Sequence, residues 1–359
     1  MQNQVVNLPG IQNPISLSPG FDKKGLSDYK LDIMGLCGYG CIYCSSNWGN
    51  YLRINRKQFA TITEEQLGQK SYPTDNPNLT FQFPDIIEKL ETQLKGKPKT
   101  FGKGQVLVFS QLTDGFSPIA VGRGLTKYVL DTVLEKTSFS IRVMTKNAIV
   151  GTDQWIDYFL KHQDRFIVGM SIGTTSDDWQ KQIEIGTSNP TARIKAINNL
   201  IDAGVRTYTM LCPVFPHVVN NGMFEDLLEQ LNADKQEHIW AEPYNDRANW
   251  KVVQEGLDDT HPDKGWLQQC YGEKKYSMWS DYASDLYERI LVKSKSDGWE
   301  DKFTYLLYER HIESKDVSRF SDLHGIMLQC PKGNDGYSKH PGFRDLQLEL
   351  EARGYRIAG

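Results

Sequence analysis

The run GLCGYGCIYCSSN, residues 35–47, decides how this chain is read. It places Cys37, Cys41 and Cys44 at C-x3-C-x2-C spacing, with Tyr43 just before the last thiol. Three thiolates on one short loop can hold three irons of a [4Fe-4S] cube and leave the fourth iron open. Two other chemistries compete with this one. Structural zinc takes four ligands, commonly as two close pairs, and no fourth Cys or His lies within twenty residues of Cys44. A disulfide would leave one of the three thiols over. Cys212, Cys270 and Cys330 stand alone, so a second cluster with protein-only ligation is not expected.

Outward from the loop, strand-like and helix-like stretches alternate as far as about residue 250. DYKLDIM (28–34) leads into the cysteines, and FPDIIEKLETQL (83–94) carries Ile86, Ile87, Leu90 and Leu94 at helical spacing. Strands are expected at QVLVFS (105–110), SIRVMTK (140–146), RFIVGMSIGT (165–174), VRTYTMLCPV (205–214) and HIWAEPYN (238–245). Helices fall between them, one of which, 189–204, ends at Gly204. Such alternation with short connections reads as parallel α/β. Six units after a cysteine loop suggest a partial (βα)6 TIM-type barrel over 28–250. An N-terminal extension (1–27) is expected before it, and a mixed/helical C-terminal extension (251–359) that closes the barrel or shapes the substrate site after it. In barrels of this type the chemistry sits at strand C-termini.

Composition bounds the rest. With 359 residues, 39% of them hydrophobic, the chain can bury a large core. A net charge of −4 gives no general basic field of the kind that announces nucleic acid. MQNQVVNLPG lacks a charged n-region and an apolar h-region, so no signal peptide is expected. No apolar run is long enough to span a bilayer. Six cysteines without an export signal point to a reducing cytoplasm.

The cysteine spacing resembles that of the radical SAM superfamily. The resemblance implies a [4Fe-4S] cluster on Cys37, Cys41 and Cys44, with S-adenosylmethionine on its open iron. It also implies one-electron cleavage of that cofactor to a 5′-deoxyadenosyl radical, with a flavodoxin- or ferredoxin-type electron donor. From Cys37 to about Asn249 the chain resembles the spore photoproduct lyase-like branch in particular. FSQLTDGFSPI supplies Ser110, Thr113 and Asp114, VMTKN supplies Lys146, and GMSIGT supplies Ser171. A helix from Arg193 to Gly204 follows, and then Glu242, Pro243 and Asn245. Two departures stand out. Leu36 occupies the position before the first cluster thiol, where the branch usually has Gly. The repair lyase's hydrogen-donor Cys also has no counterpart between Cys44 and Cys212.

Each candidate has a plainer reading beside its functional one. Tyr43 packs on adenine or is a core aromatic. Asp114 accepts from the methionyl ammonium or closes a turn. Lys146 pairs with the methionyl carboxylate or is a solvated charge. Ser171 bonds carboxylate or ribose, or only backbone. Ser110 and Thr113 belong to the same cofactor set. Glu242 binds ribose or substrate, or pairs with Arg193 or Arg247, and Asn245 is equally open. Cys212 shares a strand face with Met210 and is either a hydrogen donor or an inert thiol. Trp48, Tyr51, Arg53, Arg56 and Lys57 form an aromatic and basic loop that could grip phosphates and stack on bases, or be solvated. His217, after the fifth strand, could face the substrate. The expected substrate is a nucleic-acid base or nucleotide. The alternatives are a small metabolite or peptide, or a non-catalytic iron–sulfur or zinc module.

Overall fold

A computed structural model describes residues 4–44, 56–72, 79–220, 222–246 and 248–355. The chain divides into two compact units. The first comprises Met1–Ile172, Ser176–Tyr208 and Asp246–Leu257, and the second Gly173–Thr175, Thr209–Asn245 and Asp258–Gly359.

Strands numbered in chain order in the first unit are β1 (Gln4–Asn7), β2 (Ile15–Leu17), β3 (Tyr29–Leu31), β4 (Met34–Cys37), β5 (Leu79–Gln82), β6 (Val106–Phe109), β7 (Ser140–Thr145) and β8 (Phe166–Ser171). β3, β6, β7 and β8 run parallel in that order, and β2 lies antiparallel on the β3 edge. Leu107, Phe109, Ile141, Val143 and Val168 are inaccessible or nearly so. Such two-sided burial is what near-continuous apolar runs in parallel strands require. Helices Ile86–Leu94, Leu125–Lys136 and Asp153–Lys161 intervene between strands. The α/β class expected from the alternation is therefore the class observed.

The approach to the cysteines differs from a single strand over 28–34. The chain leaves the parallel sheet after Leu31, and buried Asp32 accepts a hydrogen bond from the Leu112 N–H at 2.9 Å. β4 then joins a separate sheet, antiparallel to β5, which is parallel to β1. A carboxylate buried against a loop N–H ends the first strand and aims the next one, which terminates at Cys37.

The helix Pro190–Asp202 shows why local sequence fixes local structure. Asn189 caps it by accepting from the Ala192 N–H, and Pro190 sits in its first turn. Gly204, at φ +83°, ends it, with Gly204 N–H on Ile201 O and Val205 N–H on Leu200 O. This is the Schellman pattern that glycine permits. The helix carries Arg193 one turn from its start.

In the second unit, β9 (Thr207–Val214, from Thr209 onward), β10 (His238–Pro243), β11 (Phe303–Leu307) and β12 (Ile326–Leu328) are neighbours in that order. β10, β11 and β12 are parallel. The C-terminal segment thus contributes two strands besides its 21-residue helix Ser277–Asp297.

Candidate active site

The cysteine loop begins where β4 ends. Gly38 (φ +72°) and Gly40 (φ +63°) take left-handed conformations that side chains rarely adopt. A Cβ on Gly38 would also lie 2.2 Å from Thr80 Oγ1. A strap from the end of the helix Asp177–Ile183 runs antiparallel to the loop. Cys41 bridges to Glu184, Ile42 N–H donates to Ile183 O at 3.0 Å, and Gly186 N–H donates to Tyr39 O at 2.8 Å. Gly186 suits the close approach, since a Cβ there would sit 3.1 Å from Tyr39 Cα and O, tighter than most such contacts.

Cys41 is buried, and Cys37 and Cys44 are partly so. Burial, with the neighbouring Cys44 and Asp114, pushes the Cys37 thiol up to about 12. Burial and then Glu184 raise Cys41 well above its ordinary value. Thiols placed this way ionise when a bound metal supplies the compensating charge. Three thiols with no fourth Cys or His on the loop are the donor set of a cluster with one open iron, whereas structural zinc takes four ligands. Among the described residues, His217, His261 and Asp263 bring ligand atoms within 4.8 Å of one another.

Beyond the loop, the ends of β6, β7 and β8 converge on a buried polar network. Ser110 closes β6 with φ +67°, a costly conformation for a non-glycine residue. Its hydroxyl and that of Thr113 are buried without a hydrogen-bond partner. Orphaned buried hydroxyls are uncommon and fit an absent polar ligand. Asp114 is held mainly by its own protein. It accepts from Phe116 N–H at 2.9 Å, Thr145 Oγ1 at 2.9 Å and Lys146 N–H at 2.7 Å. Burial raises its carboxyl, and the backbone donors of Lys146 and Phe116 oppose the rise. About one of its roughly four acceptor sites stays open to a cation.

Lys146 reaches Ser171 Oγ at 2.5 Å and Glu184 Oε1 at 3.3 Å, with Nζ 5.9 Å from the Tyr43 ring centre. The Tyr43 hydroxyl donates to Glu184 Oε1, and Arg193 Nη2 donates to Glu184 Oε2. Arg193, 1% exposed, also donates to Ser188 O at 2.6 Å, Ser171 O at 2.9 Å and Thr187 Oγ1 at 2.7 Å. Burial alone would raise the Glu184 carboxyl. Arg193, Lys146 and Tyr43 outweigh it and hold it at about 2. Tyr43, Lys146 and Ser171 are thus brought together, and the residue that joins them, Glu184, was not singled out from the sequence. Its signal was an acid between two isoleucines in QIEIG, where burial of a charge demands a partner. Arg193 pairs with Glu184.

In the second unit, Glu242 accepts from Cys212 Sγ at 3.4 Å and from the Tyr308 hydroxyl at 2.7 Å. Tyr308 was likewise not expected from sequence. Asn245 follows β10 and is partly exposed. His217 is buried in the short helix Pro216–Asn220, where Asp263 accepts its backbone N–H at 2.9 Å and bonds its Nδ1 at 2.5 Å. That carboxylate ties two helices together at their starts. His261 stands edge-on to His217, and its Nδ1 accepts from the Asp263 N–H at 3.1 Å. Of the basic loop, Trp48, Tyr51 and Arg53 lie outside the described residues. Arg56 opens the helix Arg56–Leu67, and Lys57 on that helix is exposed.

No family model matches the chain. An uncharacterized protein of Methanocaldococcus jannaschii is 25% identical over 188 residues, which cover 51% of this chain and 59% of that protein. An uncharacterized protein of Acidianus two-tailed virus is 22% identical over 81% of this chain and 83% of its own. Among solved structures the chain is similar to a spore photoproduct lyase variant with bound AdoMet and dinucleoside spore photoproduct. Identity there is 16% and the TM-score 0.41, over 66% of this chain and 62% of that one. It is also similar to anSMEcpe with bound AdoMet, at 11% identity and a TM-score of 0.43, over 76% and 60% of the two chains. The chain therefore spans about three-fifths of the first curated relative and of the lyase it matches.

Proposed function

We propose that this chain is a radical SAM enzyme of the spore photoproduct lyase-like branch, acting on a nucleic-acid base or nucleotide. The observation that carries the reading is the loop of Cys37, Cys41 and Cys44. The loop carries three thiols and no other metal ligand of its own, and it is strapped to a buried network that holds Lys146. Cys37, Cys41 and Cys44 would hold the cluster, which with S-adenosylmethionine bound and one electron from a flavodoxin- or ferredoxin-type donor would supply reductive C5′–S cleavage, yielding methionine and a 5′-deoxyadenosyl radical as the hydrogen abstractor.

The chain's own residues do the holding. Cys37, Cys41 and Cys44 ligate. Ser110 and Thr113 offer unpartnered hydroxyls to the methionyl end, and Asp114 offers its remaining acceptor site to the ammonium. Lys146, steadied by Ser171, receives the carboxylate. Tyr43 keeps its hydroxyl on Glu184, and its ring is assigned to packing on the adenine. Glu242 and Asn245 are assigned to ribose or substrate. Cys212, hydrogen-bonded to Glu242, is the proposed hydrogen donor. Trp48, Tyr51, Arg53, Arg56, Lys57 and His217 are the proposed substrate contacts. The proposed location is the cytoplasm, and no helix among the described residues is long and apolar enough to cross a membrane.

A second reading keeps the chemistry and makes the substrate a small metabolite or peptide. The net charge of −4 and the lack of a Cys between Cys44 and Cys212 favour it. Anaerobic reconstitution followed by a 5′-deoxyadenosine assay, with and without oligonucleotides and mononucleotides, separates the two. Stimulation by nucleic acid supports the first. Deuterium transfer into deoxyadenosine from a labelled metabolite or peptide supports the second.

A further inference from the structure

We propose that Glu184 is a positioning residue of the cofactor site. Its carboxylate holds the Lys146 ammonium against Ser171 and ties that lysine to the cysteine loop, so that an incoming carboxylate meets a cation already fixed in place. This rests on the reading of Cys37, Cys41 and Cys44 as cluster ligands and of Lys146 as a partner for the methionyl carboxylate.

Three features carry the inference. The strap puts the Glu184 backbone directly beside Cys41, and the Tyr43 hydroxyl, one residue before Cys44, lands on Glu184 Oε1. The same oxygen lies 3.3 Å from Lys146 Nζ, so one atom links the lysine to the loop. The charge arrangement then makes the carboxylate indispensable to Lys146 in particular. The Lys146 side chain is 16% exposed and that of Arg193 is 1% exposed. Without an anion between them, two cations would share a buried pocket, where their repulsion is poorly screened. Arg193 is anchored by three further acceptors, at Ser171, Ser188 and Thr187. Lys146 has the longer, more flexible stem, so it is the one displaced.

Shape cannot replace the charge here. Glu184 Oε1 faces Tyr43 and Lys146, and Oε2 faces Arg193 and Thr187. A glutamine amide would turn its NH2 toward donors whichever way it is set. Loss of one charge-assisted contact of this kind corresponds to about a tenfold change in affinity or more.

The test uses the anaerobically reconstituted full chain with Glu184→Gln, Glu184→Asp and Glu184→Ala. Iron per chain is measured, and S-adenosylmethionine is titrated while the EPR signal of the reduced cluster is followed. The saturating rate of deoxyadenosine release is read separately. In Glu184→Gln the account expects unchanged iron, an apparent Kd raised about tenfold, and a smaller change in saturating rate. Glu184→Asp recovers part of the affinity, and added acetate recovers part of it in Glu184→Ala. Binding by Glu184→Gln as tight as by the unaltered chain overturns the proposal. So does loss of iron and stability with an unchanged Kd in the loaded fraction, which would make the residue merely structural. If the unaltered chain itself takes up iron but never responds to S-adenosylmethionine, the cofactor reading fails first and the proposal falls with it.

Discussion

Replacing Arg193 by Met tests whether the network behind the cysteine loop is held by charge. The guanidinium is 1% exposed and bonds three backbone or side-chain oxygens besides the Glu184 carboxylate. Breaking a buried ion pair by removing one partner costs about 3–5 kcal/mol, because the other charge is left uncompensated. The fall of the Glu184 carboxyl from 4.5 to about 2, set by all its partners together against burial, corresponds to about 3 kcal/mol of charge stabilisation at neutral pH. Arg193 is the leading favourable contributor to that fall, with Lys146 and Tyr43 behind it. The folded-state value is depressed, so this contribution is present above the unfolded value near 4.5 and is lost as the pH falls toward 2. Urea unfolding of the unaltered chain and Arg193→Met, both without metal, is the assay. The expected destabilisation is about 3–5 kcal/mol at pH 7, shrinking by about 1–2 kcal/mol between pH 5 and pH 3. A difference below about 1 kcal/mol at pH 7, or one that does not change with pH, is incompatible with a network held by the Arg193–Glu184 charge pair.

Other substitutions probe separate links. Ser110→Gly removes a side chain from φ +67° together with an unpartnered hydroxyl, so stability should rise by about 1 kcal/mol while S-adenosylmethionine binding weakens. Unfolding midpoints and a binding titration check the two halves. Asp114→Ala strands the Phe116 and Lys146 N–H groups and the Thr145 hydroxyl, and should cost about 2 kcal/mol or more in urea unfolding. Gly186→Val drives a side chain into the Tyr39 backbone and should separate strap from loop, read as less iron retained per chain after reconstitution. Cys212→Ala should leave iron content unchanged but alter the products formed from the substrate radical, as followed by mass spectrometry.

The parallel α/β class was legible because the strands of the first sheet are buried on both faces and read as continuous apolar runs. QVLVFS and RFIVGMSIGT became β6 and β8 almost as written. The break between β3 and β4 was not legible. It depends on buried Asp32 finding the Leu112 N–H, a partner 80 residues away. β11 and β12 were also missed, since FTYLL and IML are short and sit among charged and aromatic residues that suggested helix. In the site, the cysteines and the residues ending β6, β7 and β8 announced themselves by spacing and by their place after apolar runs. Glu184 and Tyr308 did not. Each acquires its role from a partner brought near by tertiary structure, Lys146 and Arg193 in one case and Glu242 in the other. His217 was singled out by its position after β9, and the partner of its ring, buried Asp263, lies 46 residues further on and was not legible.

In the proposed reading, three thiols on one loop hold a cluster that cleaves S-adenosylmethionine. The most direct test is anaerobic reconstitution with iron and sulfide, reduction, and measurement of 5′-deoxyadenosine from the unaltered chain and from Cys37→Ala, Cys41→Ala and Cys44→Ala. The account predicts about four irons per chain and deoxyadenosine that disappears with each substitution. Zinc bound in place of iron, or deoxyadenosine that persists without any one of the three thiols, would contradict it.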